Sequence, residues 1–131
     1  MTPSDRPVGI LVTHAALGSE LLRTVEGILG PQSDVHVLSN DGYSGEALSR
    51  AIEDAVRKVP TEHPVVIFTD MAAGSCGIAS RRAEHGERSV RKVTGVNLPM
   101  LLEFFHYRDT LPLDEILPRL EAKGKAGITV L

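Results

Sequence analysis

Hydrophobic positions fall in short continuous runs that alternate with stripes at helical spacing. Val8–Thr13 reads Val-Gly-Ile-Leu-Val-Thr, which fits a strand buried on both faces. Apolar Leu21, Leu22, Val25, Ile28 and Leu29 then predict a helix capped by Ser19 and closed by Gly30-Pro31. Residues 35–38 read as a second strand. Asp41-Gly42 and Ser44-Gly45 mark a loop before a helix over 46–59, whose stripe is Leu48, Ile52, Ala55, Val56 and Val59. Val65–Thr69 is a third strand and the most hydrophobic. A Gly- and Ala-rich loop over 70–74 leads into a helix starting near Ser75. Residues 90–96 form a fourth, more polar strand, and Asn97-Leu98-Pro99 opens a helix over 100–108. A last helix spans 113–122, with Pro118 predicting a kink or a late start. The apolar run 128–131 follows the flexible stretch 124–127 and predicts a short final strand.

Strands alternating with helices imply right-handed β-α-β crossovers and a largely parallel sheet. The expectation is one doubly wound α/β domain over 1–131, with 1–7 as an N-terminal tail. It has four parallel strands, a short C-terminal antiparallel strand and helices on both faces. Ligands of such sheets bind beyond the carboxyl ends of the strands, where the strand order reverses. That rule singles out His14, directly after the first strand, and Asp70, directly after the third.

Composition narrows the possibilities. With 42% hydrophobic residues, 24% charged residues and a formal charge of -3, the chain reads as an ordinary soluble globule. The basic runs at Arg81-Arg82 and Arg88–Lys92 are broken by Glu84 and flanked by Glu87, so they read as solvated surface. Nucleic acid is therefore not an expected partner. The lone Cys76 cannot form a disulfide within one chain, which fits a reducing compartment. No apolar stretch nears the roughly 20 residues that span a bilayer, and the first seven residues lack the pattern of a signal peptide. The expected location is the cytoplasm, without membrane insertion.

An imidazole titrates near pH ~6.5, so a large part of a free histidine is neutral and nucleophilic at neutral pH. It can take a phosphoryl group on one ring nitrogen if the other donates to a fixed acceptor. Asp70 is an acceptor of the right kind, setting the tautomer and balancing charge as the phosphoryl group arrives. Gly74-Ser75 opens the third helix, where free N–H groups and the helix dipole favour an anion. The Ser75 hydroxyl can add a bond. Thr13 and Thr69 are further candidates, each equally readable as a strand-end residue satisfying backbone.

Read together, several stretches resemble the enzyme IIA domains of mannose-family bacterial sugar phosphotransferase systems. They are Gly9–His14 followed by Leu17–Leu22, Phe68-Thr69-Asp70 with Gly74-Ser75, and Gly95-Val-Asn-Leu-Pro-Met-Leu101. The last is the most specific, and the resemblance runs from about Pro7 to Leu131. It implies that His14 is the phosphorylated residue, Asp70 its orienting partner and Ser75, beside Gly74, the residue next to the phosphate. It further implies phosphate received from HPr, transfer to a IIB protein or domain, no cofactor or metal, and a homodimer. One stretch departs from the pattern. Transport members usually read Asp-Thr-x-Gly-Gly-Ser-Pro, and here the chain reads Asp70-Met-Ala-Ala-Gly-Ser-Cys76. The rim that would dock a IIB partner is altered.

Other readings compete. His14 could be phosphorylated as a regulatory signal, or the chain could be the phosphocarrier of a dihydroxyacetone kinase system. A nucleotide-binding doubly wound protein is disfavoured, because no Gly-x-Gly-x-x-Gly follows the first strand. His36, His63, His85 and His106 read as structural or solvent-facing. Cys76 could join His14 and Asp70 around a metal, but the closely spaced ligands of zinc sites are missing, and a small apolar role at a helix start is favoured.

Overall fold

The computed structural model describes residues 5–131, so the first four residues of the expected tail lie outside the described residues. The element order is β1 (Val8–Thr13), α1 (Leu17–Leu29), β2 (Val35–Ser39), α2 (Gly45–Arg57), β3 (Val65–Thr69), α3 (Gly74–Arg82), β4 (Val90–Thr94), α4 (Leu98–Tyr107) and α5 (Leu113–Ala126). The strands form one sheet in the order β2-β1-β3-β4, with every neighbouring pair parallel. The two central strands are buried along their whole length, whereas β2 and β4 are partly exposed edges. This explains why β1 and β3 are continuous apolar runs and β4 is not.

Side-chain alternation splits the core into two layers. Val8, Ile10, Val12, Val65 and Ile67 face α2 and α3, meeting Leu48, Ile52, Val56, Cys76 and Ala79. Leu11, Val66 and Phe68 face α1, α4 and α5, meeting Val25, Leu101, Phe104, Ile116 and Leu120. Phe68 and Phe104 pack edge to face with ring centroids 5.1 Å apart. Helices on both faces of a parallel sheet make the expected doubly wound α/β fold, in the flavodoxin-like order. At the amino ends of the strands, fully buried Arg108 donates to the carbonyls of Pro7, Ser33 and Asp34. Burial lowers its pKa to about 10, so it stays cationic near neutrality.

Several boundaries differ from expectation for local physical reasons. Helix α1 starts at Leu17, with Ala16 rather than Ser19 at its N-cap, because Thr13 Oγ1 reaches over and accepts from Gly18 N–H at 2.7 Å. Strand β4 stops at Thr94, two residues early, where Gly95 turns to φ +76°. Asn97 caps α4 by accepting from Met100 N–H, with Pro99 in the first turn. Helix α5 carries Pro118 inside it and runs to Ala126, well past the expected end. Gly124 packs on Met100, and its carbonyl accepts from Asn97 Nδ2 at 2.9 Å, so tertiary contact holds a stretch that composition marks as flexible. The expected C-terminal antiparallel strand is not formed in the chain. Residues 128–131 are without secondary structure, and Ile128, Val130 and Leu131 are largely exposed.

Candidate active site

The strand order reverses between β1 and β3, and both central strands end at the same rim. His14 follows β1, and Asp70 follows β3. His14 donates its backbone N–H to Asp70 Oδ2 at 3.0 Å, and its ring Nδ1 lies 2.8 Å from the same oxygen. A carboxylate only accepts, so Nδ1 carries the proton, and in the neutral ring Nε2 keeps its lone pair. Ser75 Oγ sits 3.2 Å from Nε2, within reach to donate to it when the ring is neutral. The His14 side chain is 37% exposed and that of Asp70 only 11%, so a partly exposed imidazole is held by a carboxylate beneath it. Burial pushes the Asp70 carboxyl up, but the two bonds from His14 and the charge of its ring bring it below its ordinary value. The other carboxylate oxygen, Oδ1, is buried without a partner.

The start of α3 lies against the ring. Gly74 takes φ +80°, and a Cβ there would come 3.4 Å from His14 Cε1 and 3.5 Å from Nε2. Glycine therefore suits both the backbone and the space beside the imidazole. The N-cap, Ala73, makes no side-chain cap bond, so the first-turn N–H groups of α3, which have no intrahelical acceptors, are not satisfied by a capping side chain. One turn further, a Cβ on Gly77 would lie 2.2 Å from the Ala72 carbonyl oxygen. The loop bearing Asp70 thus rests directly on the helix bearing Ser75.

Thr13 and Thr69 do not join this set. Both are buried, with Thr13 Oγ1 committed to Gly18 and Thr69 Oγ1 directed to the Met71 carbonyl. Cys76 is fully buried, and its thiol is pushed up by burial and then by the Asp70 charge. His14, Asp70 and Cys76 each offer one ligand atom within 4.8 Å of the others. A metal there would need a thiolate that both effects oppose, and would compete with the Nδ1–Asp70 bond. The remaining histidines lie elsewhere. His36 is exposed on β2, His63 Nδ1 lies 2.9 Å from the Arg6 carbonyl, and His106 packs on Tyr107. The His85 ring nitrogens are buried without partners, and burial followed by the Lys92 charge lowers its pKa.

Sequence reasoning missed Asn40. This residue follows β2, its Oδ1 accepts from Ala15 N–H at 2.9 Å, and its own N–H donates to the Thr13 carbonyl at 3.1 Å. Asparagine beside Asp41-Gly42 looks like ordinary turn chemistry, so only the fold reveals that it brackets His14. The two principal grooves, about 530 and 590 Å³, lie along β4 and β2 at the sheet edges, and neither includes His14.

These features define a flavodoxin-like α/β domain that presents a carboxylate-oriented histidine at its strand-order reversal. The family model described as PTS system fructose IIA component matches residues 9–121, and the chain belongs to that family. It is 29% identical over 124 residues to the PTS system mannose-specific EIIAB component of Escherichia coli K12, covering 93% of this chain and 38% of that protein. It is 28% identical over 89 residues to the PTS system fructose-specific EIIA component of Bacillus subtilis, covering 68% of this chain and 61% of that protein. A solved phosphotransferase system component EIIA from Streptococcus agalactiae superposes with a TM-score of 0.82 at 21% identity, covering 95% of this chain and 96% of the other. The kinship expected from the sequence motifs is the kinship found. Among the described residues no helix is long and apolar enough to cross a membrane.

Proposed function

We propose that this chain carries a phosphoryl group on His14 within a phosphoenolpyruvate-dependent sugar phosphotransferase system. The Nε2 lone pair attacks the phosphorus of a donor phosphohistidine on HPr, and the donor P–N bond breaks as the new one forms. The proton stays on Nδ1, where Asp70 balances the positive charge that builds on the ring. Ser75 and the N–H groups of the α3 start then receive the phosphoryl oxygens, and a IIB protein or domain accepts the group in a second displacement. The observation that carries this reading is Asp70 Oδ2 at 2.8 Å from Nδ1 with the opposite nitrogen turned to Ser75 and solvent. A donor carried on a protein fits the partial exposure of the His14 side chain. Incubation with phosphoenolpyruvate, enzyme I and HPr should place one acid-labile phosphate on the wild type and none on His14→Ala. Label persisting in that variant removes the assignment.

A homodimer forms part of the same reading. Strand β4 is an edge, and the apolar 128–131 stretch is exposed beside a groove that Ile128 helps to line. Pairing that stretch with the other subunit would cover both, and a chain ending at Gly127 should lose the dimer by light scattering while keeping α5.

The exposed Met71 on the loop between Asp70 and Ser75 favours a second reading. A thioether on that rim changes the surface a IIB partner would meet, as expected of a phosphorylated regulatory module. Transfer from the labelled chain to a mannose-type IIB domain supports the transport role, and stable label in its presence supports the regulatory one.

A further inference from the structure

We infer that Asn40 is a positioning residue for His14, acting by holding Ala15 in a backbone conformation that alanine disfavours. The inference rests on the phosphoryl-carrier reading for its kinetic test and on the geometry alone for its spectroscopic one. Between β1 and α1 the chain reverses in three residues. Leu17 N–H donates to the His14 carbonyl at 3.2 Å, closing a tight turn over Ala15 and Ala16. Ala15 lies at φ +51°, in the left-handed region where a Cβ crowds the following carbonyl. Apart from Ala15, Asp34 is the one described non-glycine residue with positive φ. Strain of this kind persists where neighbours over-determine the backbone.

Asn40 supplies that constraint from a different strand. Its backbone N–H is anchored on the Thr13 carbonyl, before His14, and its side-chain Oδ1 accepts from Ala15 N–H, after His14. The histidine is thereby gripped on both sides by one residue. On the third side its own N–H and ring meet Asp70 Oδ2. Ala15 is exposed, so without Oδ1 its N–H can turn to water and its φ can relax to negative values. The His14 carbonyl and ring would then swing relative to Asp70 and Ser75. Glycine at position 15 needs no such restraint, because it adopts positive φ without steric cost.

The test is a double-mutant cycle on phosphoryl transfer from phospho-HPr, using Asn40→Ala, Ala15→Gly and the pair. Misplacement of a reacting group by about 1 Å can cost up to ~10²-fold, and Asn40 acts on the ring only through the turn while Asp70 still holds it, so Asn40→Ala should lower kcat about tenfold with KM nearly unchanged. Ala15→Gly alone should cost no more than about twofold, and the double variant should recover most of the Asn40→Ala loss. Nitrogen-15 spectra of the His14 ring should show the Nδ1–H tautomer fixed in wild type and in the double variant, and averaged in Asn40→Ala. Additive losses in the cycle, a defect confined to KM, or an unchanged tautomer in Asn40→Ala would each overturn the inference. A wild type that takes no label on His14 would instead refute the carrier reading, and the ring spectra would still decide the role of Asn40.

Discussion

Replacing Asp70 by asparagine keeps the shape of the side chain and removes its charge. The amide oxygen can take the place of Oδ2, still accepting from the His14 backbone N–H and from Nδ1–H, bonds that measure 3.0 and 2.8 Å in the wild type. The amide NH₂ would then occupy the site of Oδ1, which is buried without a partner, at a stability cost of about 1 kcal/mol. The kinetic cost is larger. The ring charge is delocalised, so its centre lies roughly 4 Å from the carboxylate, and a full unit charge there interacts by about 4 kcal/mol at an effective dielectric near 20. A loose transition state develops about half of that charge, or about 2 kcal/mol. Exchanging a charged for a neutral acceptor adds about 1 kcal/mol. The sum of about 3 kcal/mol corresponds to ~10²-fold, and the 37% exposure of His14 pulls the expectation down toward ~30-fold through solvent screening. Rapid-quench measurement of single-turnover transfer from labelled phospho-HPr, alongside circular dichroism, tests this. A folded variant within threefold of the wild-type rate would show that the carboxylate does not support the ring during transfer.

The depressed Asp70 pKa also predicts how stability responds to acid. A carboxyl held below its ordinary value of 3.8 stabilises the fold above that pH and loses the contribution as pH falls through its folded value. The stability gap between wild type and Asp70→Asn in urea should therefore be constant above about pH 5 and narrow toward pH 3. Gly77→Ala should destabilise by about 1–3 kcal/mol and impair labelling, because the new methyl meets the Ala72 carbonyl and must lift the Asp70 loop. Labelling at the wild-type rate would show that the loop has room to give. Arg108→Met removes the donor to the carbonyls of Pro7 and Ser33 and should cost about 3–5 kcal/mol by denaturant titration. The transfer rate per folded molecule should be unchanged, since Arg108 lies at the opposite ends of the strands.

Much of the candidate site was readable because its residues follow the two central strands, where the strand order reverses. The runs at Val8–Thr13 and Val65–Thr69 are long, apolar and buried throughout, so both strands and the positions after them could be placed from pattern alone. Gly74 and Ser75 followed from helix-start chemistry and from the family motif. What stayed hidden depends on contacts between distant segments. Thr13, readable as a phosphate donor or as a strand-end residue satisfying backbone, takes the second role, and from the preceding strand it accepts at the start of α1, where Ser19 was expected to cap. Gly124 looks like a hinge in sequence and is a packing position under Met100. Pro118 forfeits one helical bond, yet Ile116 and Leu120 on either side are fully buried, and that burial carries α5 through the defect. Asn40 acts on a residue 25 positions away, a pairing that no local rule contains.

The Ser75 hydroxyl rests on the nitrogen that a phosphoryl group would occupy. For a phosphoryl carrier this means that the empty site already holds an oxygen where an oxygen-rich group will arrive. Loading then swaps a neutral contact for about two negative charges and asks little of the backbone around it. The two forms of the protein would present nearly the same contour and differ in local field. At physiological salt that field fades over roughly 8 Å, so it is legible only to a partner already in contact. A donor and an acceptor sharing this surface would dock equally well and part at different speeds, their discrimination written in departure rates and eroded by added salt.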